Sequence, residues 1–188
     1  MQLETARLFL REYEMGDYED LREIDGDPEV QHYRGGHVVT EDQTRLWIER
    51  TQELRRAVPR VRYPLVMTLK GGETIGGCLF KITDLERREA EVGYLLKRTY
   101  WGRGYTTEAT HAVLNYGFMM LGLHRVYAQV NPENVGSWRV MEKLGMRREG
   151  HLWEVEFTAT GEWRDVYLYA ILDHEWTPDS QGDRLPTF

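Results

Sequence analysis

Three strand-like segments, near Tyr63 to Leu69, Thr74 to Ile82 and Glu89 to Leu96, run into a turn with two glycines, Tyr100-Trp101-Gly102-Arg103-Gly104. A helical stretch from about Thr106 to Met120 comes next. Lys70-Gly71-Gly72 is a hairpin turn, so the segments are expected to form an antiparallel meander. A fully parallel, doubly wound sheet would instead need a crossover between successive strands. The order of these five units is therefore the strongest constraint on the fold.

The flanks fit the same plan. Arg7-Leu8-Phe9-Leu10-Arg11 alternates as a strand does, and Asp17 to Asp25 sets Tyr18, Leu21 and Ile24 at helical spacing. Asp27-Pro28 is expected to break that helix. Thr40 then reads as the N-cap of a second helix, with Leu46, Trp47 and Leu54 turned inward and Pro59 at its end. Downstream come a strand at Arg125 to Val130, a helix from about Asn134 to Leu144 with Gly145 at its C-cap, and strands near Met146 to Phe157 and Glu162 to Ile171. The expected class is α/β in the mixed α+β sense, a central, mostly antiparallel sheet flanked by helices. One domain is expected over residues 1–176, with 177–188 a loose polar tail.

Composition limits the function classes. A net charge of -7 argues against nonspecific nucleic-acid binding, which needs a basic footprint, and leaves room for a cationic partner. No apolar run approaches the roughly 20 residues of a membrane span, and Met1 to Leu10 lacks the apolar core of a secretory signal. A cytoplasmic protein is expected. Cys78 is the single cysteine, follows Gly76-Gly77 in an apolar run, and reads as a buried strand residue rather than a nucleophile. The six histidines, among them His32, His111 and His151, show no metal-ligand spacing, so no metal is expected.

Gly102 and Gly104 flank Arg103 directly before a helix. Backbone amides there can approach an anion while the positive end of the helix dipole faces it, although the same pattern also makes ordinary tight turns. Neither a P-loop nor a complete dinucleotide fingerprint is present. The stretch Glu91-Val92-Gly93-Tyr94-Leu95-Leu96 through Tyr100-Trp101-Gly102-Arg103-Gly104-Tyr105-Thr106-Thr107-Glu108-Ala109 strongly resembles the GNAT superfamily of N-acetyltransferases, in its RimJ/RimL-type branch. Leu3 to Arg11, Asn131 to Ser137, Glu142 to Met146 and Leu172 to Trp176 are similar to that branch in the same order. One departure is Thr99, which stands where the family's glycine motif usually begins with Gln or Arg; Arg98 and Arg103 flank it.

The resemblance implies an enzyme of GNAT-like fold that moves an acetyl group from acetyl-CoA to a primary amine by direct attack in a ternary complex. It implies that Gly102, Arg103, Gly104, Tyr105 and Thr106 hold the pyrophosphate. Tyr94, Leu95 and Leu96 would meet the pantetheine arm as an added strand does, one of their amides polarising the acetyl carbonyl. Asn134 would also contact that arm, and Lys143 would lie near the nucleotide. Where many members carry a thiolate-protonating Tyr this chain has Met141, so Ser137, on the helical face of Asn134, is expected to stabilise the leaving sulfur. Glu91 is the first expectation for the base, with Glu154, Glu156 and His151 as rivals. The favoured acceptor is a protein or peptide N-terminal α-amine; a small amine such as a polyamine or aminoglycoside, and a non-catalytic acyl-CoA sensor, are the alternatives. The branch also implies a possible homodimer through the late strands.

Overall fold

The computed structural model describes residues 1–37 and 39–178. From residue 179 onward the expected tail lies outside the described residues. The elements in order are β1 (Leu3–Glu4), β2 (Leu8–Glu12), α1 (Tyr18–Asp25), α2 (Pro28–His32), α3 (Glu41–Arg56), β3 (Arg62–Leu69), β4 (Thr74–Asp84), β5 (Glu89–Leu96), α4 (Tyr105–Met119), β6 (Arg125–Val130), α5 (Val135–Lys143), β7 (Arg147–Phe157) and β8 (Trp163–Leu172). The eight strands form one sheet in the order β1-β2-β3-β4-β5-β6-β8-β7. Every pairing is antiparallel except β5 with β6.

Helices cover both faces of the sheet. Along β3, Leu65 and Met67 join a core with α4 residues Ala109, Ala112, Val113 and Leu114, while Val66 joins Leu21, Ile24, Val30 and Ile48 on the other face. A strand buried on both faces reads as a continuous apolar run, as Tyr-Pro-Leu-Val-Met does here. Among the described residues, no helix is long and apolar enough to cross a membrane.

Two expectations for the N-terminal helices are corrected. Asp27-Pro28 does end α1, but it also starts α2: the Asp27 side chain accepts from the Glu29 amide at 2.9 Å. Pro28 occupies the first helical position, where a missing N–H costs nothing. The second correction is Leu46, which is 63% exposed. The inner face of α3 is Thr44, Ile48 and Thr51, with Trp47 packed beside it. Thr44 can be buried because its hydroxyl donates to Asp25 Oδ2 at 2.7 Å. Thr40 caps α3 as expected, in a reciprocal box with Gln43.

Candidate active site

The parallel pair β5–β6 is matched only from Glu89–Arg125 to Glu91–Tyr127. Beyond that point β5 continues against β4 as far as Leu96, and β6 continues against β8 as far as Val130. The sheet therefore opens between Val92–Leu96 and Ala128–Val130. Backbone groups of β5 on the open side have no strand partner there, and a buried polar backbone needs one. This opening is the floor of a cleft of about 1040 Å³.

At one end of the cleft stands the glycine turn. Gly102 and Gly104 have φ of +73° and +77°, a left-handed conformation that costs any residue with a Cβ about 1–2 kcal/mol. Gly104 is the N-cap of α4, so the first amides of that helix point out of the fold. Gly102, Gly104, Tyr105 and Thr106 line the cleft, as do Tyr94, Leu95, Leu96 and Asn134.

The turn is braced from the N-terminal strands. Glu108 accepts from Thr5 Oγ1 at 2.6 Å and from the Arg7 amide at 2.7 Å, and Arg7 Nη1 donates to the Arg103 carbonyl at 3.0 Å. Burial pushes the Glu108 carboxyl up, but the bonds from Thr5 and Arg7 outweigh it and leave the group below the usual glutamate value. The sequence motif contained Thr5, Arg7 and Glu108, yet nothing in their spacing announced that they would meet.

Arg103 does not line the cleft; its guanidinium lies 5.4 Å from the Tyr100 ring centre. Arg98 is paired with Asp27 at 3.0 Å. The cations that face the cleft are Arg34, Arg139 and Lys143, and Arg139 was not foreseen. The Leu96 carbonyl already accepts from the Trp101 indole at 2.9 Å.

The catalytic candidates separate. Ser137 lines the cleft near the start of α5, where its amide donates to the capping Asn134 Oδ1 at 3.0 Å. Its hydroxyl donates to Tyr94 Oη at 3.1 Å, and Tyr94 Oη donates to the Ser137 carbonyl at 2.9 Å. Burial pushes the Tyr94 hydroxyl well above the usual tyrosine range, partly offset by the bond from Ser137. This hydroxyl was overlooked in the sequence, where Tyr94 entered only for its backbone.

Glu91, the first expectation for a base, is not brought to the cleft. It lines a neighbouring hollow with Arg62, Leu79, Lys81 and Gly93, and its carboxylate pairs with Lys81 at 3.7 Å. The reason is its place on β5: Glu91 is still paired with Tyr127 of β6 and sits opposite Lys81 of β4, one residue before the sheet opens. Gly93 is the residue common to both hollows. Glu156 on β7 does line the main cleft, whereas Glu154 and His151 do not. His151 is engaged with Asp165 Oδ2 at 2.7 Å and stacks on Trp153.

Met141 is buried at 2% exposure and offers no proton. Cys78 is buried on β4, and burial pushes its thiol up to about 12, which leaves it no thiolate character near neutrality. Among the described residues, no group of three or more His, Cys, Asp or Glu side chains is placed to hold a metal ion.

The family described as acetyltransferase (GNAT) domain matches residues 7–147. A Bacillus subtilis protein named uncharacterized N-acetyltransferase YnaD is 33% identical over 176 residues, spanning 94% of this chain and 99% of that one. The structure of Mycobacterium smegmatis RimJ in complex with CoA-disulfide superposes with a TM-score of 0.80 at 27% identity, covering 97% of this chain and 90% of RimJ. Escherichia coli spermidine N(1)-acetyltransferase is 33% identical over 98 residues, 52% of each chain. An opened β5–β6 pair, a glycine turn before α4 and these matches agree, and the chain belongs to the GNAT family of acetyltransferases.

Proposed function

We propose that this enzyme transfers an acetyl group from acetyl-CoA to the N-terminal α-amine of a protein or peptide, by direct attack with both substrates bound. The observation that carries the cofactor half is the opening between β5 and β6 with the amides of Gly102 to Thr106 at one end and Ser137 beside it. The fit to an acyl-CoA is chemical. A pyrophosphate suits unpartnered amides at a helix N-terminus, an amide-bearing arm suits a strand edge, and Arg139 and Lys143 suit the nucleotide phosphates. Bound acetyl-CoA supplies the activated acyl group.

The chain's own residues then have three tasks. The free edge of β5 at Tyr94 to Leu96 orients the acyl carbonyl, and an amide there polarises it. Ser137 offers its O–H to the departing sulfur. Glu156, the β7 carboxylate facing the cleft, takes the ammonium proton, since an α-amine near pH 7 is largely protonated. Cys78 is sealed in the core and holds no acyl group, which favours direct transfer over a two-step route.

The acceptor reading rests on the far end of the cleft. Val30, Tyr33, Leu152, Val155 and Val166 line the cleft together with two carboxylates, Glu156 and Glu133. Glu133 lies 3.8 Å from His32, which leaves Glu156 as the carboxylate for a single ammonium next to a small residue; a polyamine, with several ammonium groups, wants several carboxylates. The likeness to RimJ supports this reading, and the likeness to spermidine N(1)-acetyltransferase supports the polyamine alternative.

The test is release of free CoA thiol from acetyl-CoA with Ala- and Ser-initiated peptides, spermidine and an aminoglycoside. Peptide turnover, lowered at least tenfold in Glu156→Gln, is the expected result. Faster turnover with spermidine would reassign the acceptor, and a large loss in Glu91→Gln with none in Glu156→Gln would return the base to Glu91. Binding of acetyl-CoA with no thiol release from any amine would point to the sensor.

A further inference from the structure

We infer that Tyr94 is a positioning residue for the leaving sulfur: through its hydroxyl it aims the Ser137 O–H into the cleft. The inference rests on the assignment of Ser137 to that sulfur.

Tyr94 and Ser137 stand on opposite sides of the opened sheet, one on β5 and the other on α5. Two hydrogen bonds tie these elements together: Ser137 Oγ donates to Tyr94 Oη at 3.1 Å, and Tyr94 Oη donates to the Ser137 carbonyl at 2.9 Å. In this arrangement the serine proton faces the tyrosine, so it is not directed at any atom in the cleft. A hydroxyl has one proton and two lone pairs, so Ser137 can serve the sulfur only if a second donor fills the place its own proton vacates.

Tyr94 can be that donor because of where its proton now rests. Ser137 lies within the first turn of α5, and its carbonyl already has the helix amide four residues on as a partner. The tyrosine bond is a second bond to a satisfied acceptor and is cheap to give up. Rotation about the phenol C–O bond moves the proton from the Ser137 carbonyl to Ser137 Oγ, a neighbour of the same Oη. The serine O–H then turns to the sulfur, giving a chain in which Tyr94 donates to Ser137 and Ser137 donates to the thiolate; successive bonds of this kind polarise one another. No proton leaves Tyr94. Its burial disfavours the phenolate, so it remains a donor across the working pH range.

The position also bears on the methionine at 141. Met141 is on the same helix, buried, and lines the cleft, yet it has no O–H. Tyr94 restores a phenol to the site from the facing strand, and does so through the serine.

The experiment is a double-mutant cycle with Tyr94→Phe, Ser137→Ala and the double variant. Single-turnover and steady-state rates are normalised to the amount of acetyl-CoA bound, so that any misfolded fraction is removed from the comparison. Tyr94→Phe keeps the ring and loses only the hydroxyl. Expected results are a fall in kcat of about fivefold to tenfold, the scale of one hydrogen bond, with KM for acetyl-CoA within about twofold. The double variant should be no slower than Ser137→Ala alone, because the tyrosine acts through the serine. The inference is overturned if Ser137→Ala slows transfer while Tyr94→Phe does not, or if the two losses multiply. It is also overturned if Tyr94→Phe raises KM for acetyl-CoA at unchanged kcat, the signature of a packing role in the cleft wall. Full activity in Ser137→Ala would remove the assignment of Ser137 itself, an outcome distinct from the other three.

Discussion

The two ends of the cleft are built differently. At the glycine-turn end, the surface offered to a ligand is backbone, and α4 behind it buries Ala109, Thr110, Val113 and Leu114 completely. At the other end, α2 and the turn after it bury Val30, Gln31 and Gly35 and are held mainly by side chains from several other segments. Arg34 pairs with Asp25 at 3.1 Å, Arg164 donates to the His32 carbonyl at 2.8 Å, and the Tyr33 ring lies 6.4 Å from Trp101. The Ala159 amide also donates to the Gly35 carbonyl at 2.9 Å. A pyrophosphate at the turn would be met by fixed amide dipoles, which any side chain can accompany provided two glycines permit the turn. The opposite wall is a set of partly exposed contacts, each worth about 1 kcal/mol, which can be exchanged without loss of the fold.

The largest effect expected from this contrast is in the turn. Gly104→Ala forces a Cβ into a φ of +77°, and either the strain is borne or the first amides of α4 turn away. Apparent KM for acetyl-CoA should rise about tenfold or more, read by initial rates and by calorimetric titration with acetyl-CoA. Unchanged binding would remove the turn from the site and break the comparison.

A smaller effect, of the opposite kind, is expected in the other wall. Arg34→Ala removes one of the two partners of the buried Asp25, leaving it Thr44, and loosens the turn after α2. Acceptor KM should rise about threefold to tenfold while KM for acetyl-CoA moves less than twofold. Equal losses for both substrates would mean that the two ends are mechanically one.

The smallest effect is on stability at low pH. Because the Glu108 carboxyl is held below its usual value in the folded protein, the unfolded chain takes up the proton first as pH falls. The contribution of Glu108 is thus fully present above the usual glutamate range and is lost as pH drops through the lower, folded value. Glu108→Gln should flatten the decline of the thermal midpoint in that window by a few degrees and leave the neutral-pH slope unchanged. A decline as steep as in the parent protein would assign the acid sensitivity elsewhere, with Asp17 the next group to examine, since it is also held low by Arg11 and Thr74.

Much of the glycine-turn end was legible in advance. The meander, the turn, the helix after it and the strand Arg125–Val130 fall within a residue or two of their expected bounds, because each is coded by local periodicity or by a glycine. The α3 face was misjudged at Leu46 because the helix buries two threonines, and only the meeting of Thr44 with Asp25 makes that tolerable. Glu91 lies on the strand that enters the cleft, but at a point where that strand is still paired on both sides, with Lys81 as its neighbour. The Tyr94–Ser137 contact was invisible for a related reason. Each residue was noted, but separately, and their hydroxyls meet only because β5 and α5 face each other across a gap in the sheet.

By itself the sequence determined the order of elements, the class of the fold, the glycine turn before α4 and the family, all of which follow from backbone preference and short-range pattern. Only the tertiary structure decided which side chains share the cleft: Glu156 and not Glu91, Arg139 and not Arg103 beside the expected Lys143, and the tyrosine that binds the serine. The physical reason is that a side chain's partner depends on sheet register and on segments remote in sequence, and neither is encoded within a single turn or strand.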